Sequence, residues 1–152
     1  MSKVIKAPQN FTPLASPSVF LAGSIEMGKA LNWQEIVEEM LGDTDITILN
    51  PRRDDWDSSW EQSIDNFQFR EQVEWELEAQ EKTDIIALYF CPDTKSPITL
   101  LELGLFAHTD KLIVCCPEGF WRKGNVDIVC KRYNIKNAPT LEHLIYRILR
   151  EV

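Results

Sequence analysis

The chain has little of what grips nucleic-acid polymers, membranes or metals. Lys and Arg number 16 against 24 Asp and Glu, for a formal net charge of −8. A sequence-independent hold on DNA or RNA relies on clustered basic side chains, so no nucleic-acid polymer is expected as partner. No apolar run approaches the ~18 residues of a transmembrane helix, and no membrane association is expected. Residues 1–17 contain three prolines and no apolar core. They do not read as a signal peptide, and the expectation is a loosely ordered N-terminal lead-in to a domain at 18–152. The two histidines, His108 and His143, and four cysteines without C-x-x-C spacing make a zinc site improbable. Cys115 and Cys116 are adjacent in a strand-like run, where side chains alternate faces, so they do not form a chelating pair. No metal and no cofactor are expected. A reduced, cytoplasmic protein is the default for such thiols.

What is present suits one globular domain. The hydrophobic fraction is 44%, with five tryptophans, in 152 residues. Ser18-Val19-Phe20-Leu21-Ala22 reads as a buried strand ending at Gly23-Ser24. Trp33, Ile36, Val37, Met40 and Leu41 then mark an amphipathic helix stopped by Gly42. Ile46-Thr47-Ile48-Leu49 is a second strand, closed by Asn50-Pro51 and followed by a long polar loop. Helical spacing resumes from about 67 to 82, with Phe69, Val73 and Leu77 on one face. The continuous apolar run Ile85-Ile86-Ala87-Leu88-Tyr89-Phe90 predicts a central strand covered on both faces. A loop, a helix to about Thr109 and a strand at 112–116 follow. A short helix at 126–133, a weak fifth strand near Ile135 and a final helix capped by Thr140 complete the chain. Alternation of strands and helices implies an α/β fold: a flavodoxin-like, doubly wound sandwich around a parallel sheet of about five strands.

Ligands of such sheets bind beyond the carboxyl ends of the strands. The loops there carry Gly23-Ser24, Asn50-Pro51-Arg52-Arg53, the 91–99 segment and Pro117-Glu118-Gly119-Phe120. The stretch from Gly23 to Ala30 has the G-x-x-x-x-G-K spacing of a P-loop, but Ala30 stands where Ser or Thr would hold magnesium. Glu26 would also set negative charge against a phosphate. A nucleotide triphosphatase is rejected on those grounds.

The most informative stretch runs from Ser96 to Phe106, where Glu102 lies in an apolar run. An ionised carboxylate there is costly unless it is paired, hydrogen-bonded or used. Thr99-Leu100-Leu101-Glu102 fits a capping box, with Glu102 reaching back to the Thr99 N–H. The alternative is a catalytic carboxylate in the first turn of a helix, held ionised by backbone donors and the helix dipole. Both readings stand on sequence. Gly104, unfavourable inside a helix, suggests a close approach at that point.

Strand-Gly-Ser-Ile, Trp75-Glu76-Leu77 ahead of Asp84-Ile85-Ile86, and Ser96 through Glu102-Leu103-Gly104 together resemble the nucleoside 2-deoxyribosyltransferase family, which includes 2'-deoxynucleoside 5'-monophosphate N-hydrolases. The resemblance covers roughly residues 19–116. It implies a small nucleoside or nucleotide substrate and a retaining double displacement at the N-glycosidic bond. Glu102 matches the nucleophile, and Glu76 matches a helix carboxylate used as acid/base or to hold substrate. Ser96 matches a substrate-contacting serine. Gly23, Ser24, Asn50, Arg52, Arg53 and Thr99 are the further substrate-binding candidates. Sites in the family are often completed by a neighbouring subunit, which implies a homo-oligomer, dimer or higher, and adds Arg122 and Asn125.

Two positions depart from the family pattern. Phe20 stands where a Tyr often hydrogen-bonds the nucleophile, leaving Thr99 to hold Glu102. Glu26 stands where the monophosphate hydrolases have a phosphate-binding Arg, so Arg52 and Arg53 are the candidate replacements. Hydrolysis and transfer both remain open, as do an NAD-cleaving glycosidase and a non-catalytic nucleotide-binding or sensing module.

Overall fold

The computed structural model describes residues 1–25 and 31–152, so the part of the P-loop-like stretch from Glu26 to Ala30 lies outside the described residues. The elements are β1 Lys3–Lys6, β2 Ser18–Gly23, α1 Trp33–Met40, β3 Thr47–Asn50, α2 Phe67–Lys82, β4 Ile85–Tyr89, α3 Pro97–Phe106, β5 Leu112–Cys115, α4 Lys123–Arg132, β6 Lys136–Ala138 and α5 Leu141–Glu151. All strand pairs are parallel, in the order β1-β3-β2-β4-β5-β6. Leaving β1 aside, that is the flavodoxin-like order.

The sheet separates two apolar layers. Phe20, Ala22, Ile86, Leu88 and Val114 meet Trp75, Ala79, Leu103, Phe106 and Val126 of α2, α3 and α4 on one face. Val19, Leu21, Ile48, Ala87 and Ile113 meet Trp33, Val37, Leu144 and Ile148 of α1 and α5 on the other. Cys115 and Cys116 fall in opposite layers, as strand alternation requires. Thr140 caps α5 by accepting from the His143 N–H at 3.2 Å. At the amino end of the sheet, Asp84 Oδ2 accepts from the Ser18 N–H at 2.8 Å and from its hydroxyl at 3.1 Å, joining the starts of β2 and β4. Among the described residues no helix is long and apolar enough to cross a membrane.

The N-terminal stretch differs from a loosely ordered lead-in. Lys3–Lys6 pairs with Thr47–Asn50 as a sixth strand at the sheet edge. Beyond it Phe11 is buried edge-to-face on Trp75 at 5.6 Å, and the Trp75 indole N–H donates to the Gln9 carbonyl at 2.8 Å. The prolines in this stretch masked a strand of only four residues. Its pairing comes from β3, not from its own pattern.

Gly23 closes β2 where a side chain has no room. A Cβ there would overlap the Tyr89 carbonyl oxygen and come within 2.7 Å of the Trp33 ring, and the backbone sits at φ +151°. Gly23 therefore lets β2, β4 and α1 converge at the carboxyl end. Gly23→Ala is expected to lower stability by at least about 2 kcal/mol, combining overpacking with backbone strain. Chemical denaturation would measure it, and a loss within experimental error would refute the packing role.

Candidate active site

Helix α3 is turned against its own hydrophobicity. Ile98, Leu101 and Leu105 are exposed, whereas Glu102 is 6% exposed on the sheet side. Burial of this carboxylate is therefore not a by-product of an apolar pattern. Ser96, at φ +45°, is the N-cap residue of α3, and Pro97 follows at the first position of the helix. The helix thus starts three residues before a Thr99 cap would allow, and Glu102 lies beyond its first turn. The capping-box geometry does not form, and the helix dipole acts weakly that far along.

The partner of Glu102 is on α2. Gln80 donates from Nε2 to Glu102 Oε2 at 2.7 Å and to the Glu76 backbone carbonyl at 3.1 Å. One turn earlier on each side, Gln72 Nε2 donates to Glu76 Oε2 at 3.0 Å and to the Pro51 carbonyl at 2.8 Å. Residues 72, 76 and 80 recur at i, i+4 and i+8, so they share one face of the helix. That face also buries Trp75 and Ala79, while Phe67 and Val73 are exposed and Phe69 and Leu77 are half-buried. The face expected from apolar spacing is not the buried one. Sequence reasoning missed Gln72 and Gln80, although their spacing around Glu76 was a usable signal. Thr99 is buried in α3. Gly104 faces open space, with nothing within 4 Å of an added Cβ, so no close approach explains it.

Glu76 and Glu102 influence one another. Burial raises the Glu102 carboxyl to about 8, helped by the charge of Glu76 and opposed by the Gln80 hydrogen bond. Burial likewise raises Glu76 to about 7 against the Gln72 bond. Two such carboxyls lose protons as a pair, and each is held above the ordinary carboxylate range.

The loops at the carboxyl end of the sheet are tied together by hydroxyl contacts. Ser24, Thr94 and Ser96 form a hydroxyl cluster, with Ser24–Thr94 at 3.1 Å, Thr94–Ser96 at 2.6 Å and Ser24 in contact with Ser96. The Cys91 N–H donates to the Ser24 hydroxyl at 2.9 Å. Ser24 and Ser96 are both buried, so the cluster joins the ends of β2 and β4 and seats the start of α3. Asn50 is turned inward too, donating to Glu38 and accepting from the Arg52 N–H. Asn125 is exposed on α4, and Arg122 stacks on Trp121 at 4.3 Å, with no contact to the carboxylate pair shown for either.

The two arginines differ. Arg53 is held by Asp55 at 2.7 Å and Glu71 at 3.1 Å and lies over the Trp60 ring at 5.1 Å. Trp60 in turn meets Trp56, which meets Phe69. These contacts fold the long polar loop onto the start of α2. Arg52 reaches Gln34 Oε1 from its Nε at 3.3 Å, and burial lowers its pKa, partly offset by Glu35. Among the described residues its Nη2 and the Gln34 Nε2 are buried donors without a partner.

Against known proteins, the sequence profile described as "nucleoside 2-deoxyribosyltransferase like" matches residues 16–120. The chain belongs to that family. The matched span runs from β2 to the loop after β5 and contains Glu76, Glu102, both glutamines, Arg52 and the hydroxyl cluster. Nucleoside 2-deoxyribosyltransferase-like activity, on small nucleoside substrates, is therefore supported in general terms. A comparison with curated protein sequences returns no match.

The raised carboxyls have a consequence for stability. Below the ordinary carboxyl value of 4.5 the folded and unfolded chains are both protonated at these positions. Between there and about 8 the folded chain binds more protons, so stability is lost as pH rises through that window. Thermal unfolding from pH 5 to 8.5 should show Glu102→Gln losing less Tm than the wild type. Parallel curves would contradict the burial of a titrating Glu102.

Proposed function

We propose that the protein cleaves or transfers the N-glycosidic bond of a small 2-deoxynucleoside or nucleotide, with Glu102 as nucleophile and Glu76 as acid/base. The observation that carries this reading is the carboxyl pair, half-buried Glu76 and buried Glu102, bound on two helices by two glutamine amides. A retaining double displacement needs one carboxylate and one carboxylic acid at the same centre.

The reactive form is the one in which the proton of the pair sits on Glu76. In the first step a Glu102 oxygen attacks the anomeric carbon, the bond from that carbon to the base nitrogen breaks, and Glu76 supplies the proton taken by the leaving base. The transition state is oxocarbenium-like, so a carboxylate close to the anomeric carbon stabilises it before bonding to it. In the second step water, or a second base, attacks the same carbon and releases Glu102. Glu76 takes the proton from that nucleophile, and both carboxyls return to their starting state. Desolvation of Glu102 serves this chemistry, because a carboxylate stripped of water is poised to bond to carbon.

A panel of deoxynucleosides, ribonucleosides, their monophosphates and NAD tests the reading. Free base from a nucleoside alone indicates hydrolysis, and label exchanged into a second base indicates transfer. Nicotinamide release would replace the reading with NAD cleavage, and binding without turnover would replace it with a sensing role. Glu102→Ala should abolish turnover with the fold retained, and Glu76→Gln should lower kcat by about 10²- to 10⁴-fold. Full activity in Glu102→Ala would end the nucleophile assignment.

The arginines bear on substrate charge. Arg53 already faces two carboxylates, whereas Arg52 and Gln34 offer two unpartnered donors. Arg52 is therefore the group we assign to an anionic substituent such as a 5'-phosphate. Arg52→Met should raise KM for monophosphates at least about tenfold more than for nucleosides, equivalent to one lost charge-assisted hydrogen bond. Equal changes in both would assign Arg52 to the scaffold.

A further inference from the structure

We propose that Gln80 is the positioning residue for Glu102, holding its carboxylate in one orientation and favouring the charged form; the inference rests on the reading of Glu102 as nucleophile. Gln80 is fully buried, and both hydrogens of its amide are engaged. One bonds the Glu76 backbone carbonyl on the preceding turn of α2, which fixes the amide. The other reaches Glu102 Oε2 at 2.7 Å, a distance typical of a bond to a charged oxygen.

Among the described residues the rest of the surroundings supply no substitute. Helix α3 packs on β2 and β4, which present Phe20, Ala22, Ile86 and Leu88 on this face, none of them titratable. From α2 come Glu76 and Gln80. Glu76 is the titratable neighbour that acts on Glu102, and it disfavours the charge. Lys111 points its ammonium at the Gln80 and Glu81 backbone carbonyls. Among the described residues, an amide donor thus stands alone in opposing burial and like charge.

Packing does not account for a glutamine here. Among the described residues Gln80 Oε1 is buried without a partner, as is Gln72 Oε1. A leucine or methionine would fill a similar volume and bury no orphaned carbonyl. What a hydrocarbon lacks is the Nε2 donor.

Carboxyl titration by 13C NMR on glutamate-labelled protein tests this without requiring turnover, with the Glu102 signal assigned by its loss in Glu102→Gln. Gln80→Leu should move the Glu102 midpoint up by about one pH unit, the shift expected for losing one charge-assisted hydrogen bond. It should also lower kcat at least about tenfold while KM changes less than threefold. Gln72→Leu should move the Glu102 midpoint the opposite way, because a Glu76 that ionises less repels it less. A general loosening of the layer would move both variants in one direction and overturn the proposal. So would an unchanged Glu102 midpoint in Gln80→Leu. If Gln80→Leu does not fold, Gln80→Met follows the same side-chain path and is read identically. A wild type that releases no base, with the Glu102 midpoint still moved, supports the positioning and overturns the role of nucleophile. A wild type that turns over with an unmoved midpoint overturns the positioning alone.

Discussion

A carboxylate facing the apolar side of its own helix is the constraint on which this structure turns. Glu102 sits against the sheet while Leu101 and Leu105 of the same helix face solvent. Such a group needs compensation, and the nature of the donor decides what it can do. A buried guanidinium or ammonium would hold the carboxylate charged at every ordinary pH and lower its pKa. A neutral amide supports the charge without fixing it. Glu102 therefore titrates near neutral pH, where Glu76 titrates too. The pair is poised to exchange roles only because neither member is locked into an ion pair.

The fold delivers the two carboxyls on different helices and then ties those helices to the same strand ends. Helix α2 comes back from β3 through the long loop, and Gln72 fastens it to the Pro51 carbonyl. Helix α3 leaves β4 through Ser96, whose left-handed backbone and hydroxyl contacts set its first residue. Trp75 stands between these attachments, covered by Phe11 and Phe20. Phe11 and Gln9, in the segment after the N-terminal strand, thereby cover Trp75 of α2. A stretch that looks dispensable by composition closes one wall of the apolar layer.

Much of this was legible in the sequence, and the failures have a common cause. The order of elements, the helix from 67 to 82, the buried central strand and the cap of α5 follow from periodicity and turn residues. One reading relied on hydrophobicity deciding which face is buried, and two on local helix rules, a capping motif and the cost of glycine. The site overrides them. On α2 the apolar stripe of Phe69 and Val73 turned out less buried than Gln72 and Gln80. On α3 Gly104 lies in the open, and Thr99 is not a cap. In the loops Ser24, Ser96 and Asn50 are engaged with protein, which a sequence cannot distinguish from availability to a ligand. Strand β1 was invisible for another reason: four edge residues gain their structure from a partner forty-four positions away.

The orphaned amide carbonyls sharpen the distinction between what the core needs and what the site needs. Each buried acceptor left without a donor costs about 1–3 kcal/mol, and Gln72 and Gln80 each leave one. Two hydrocarbon side chains in their places would remove that cost, and would also leave Glu76 and Glu102 with no side-chain amide donor. Both carboxyls would then settle as neutral acids, the cheapest state in an apolar layer. The layer would gain in stability and lose the negative charge that the proposed displacement requires. Retaining two amides with idle carbonyls is the arrangement expected when a buried charge must remain accessible, and it is the ground for assigning the proposed chemistry to the glutamine-bearing face of α2 as well as to Glu102 on α3.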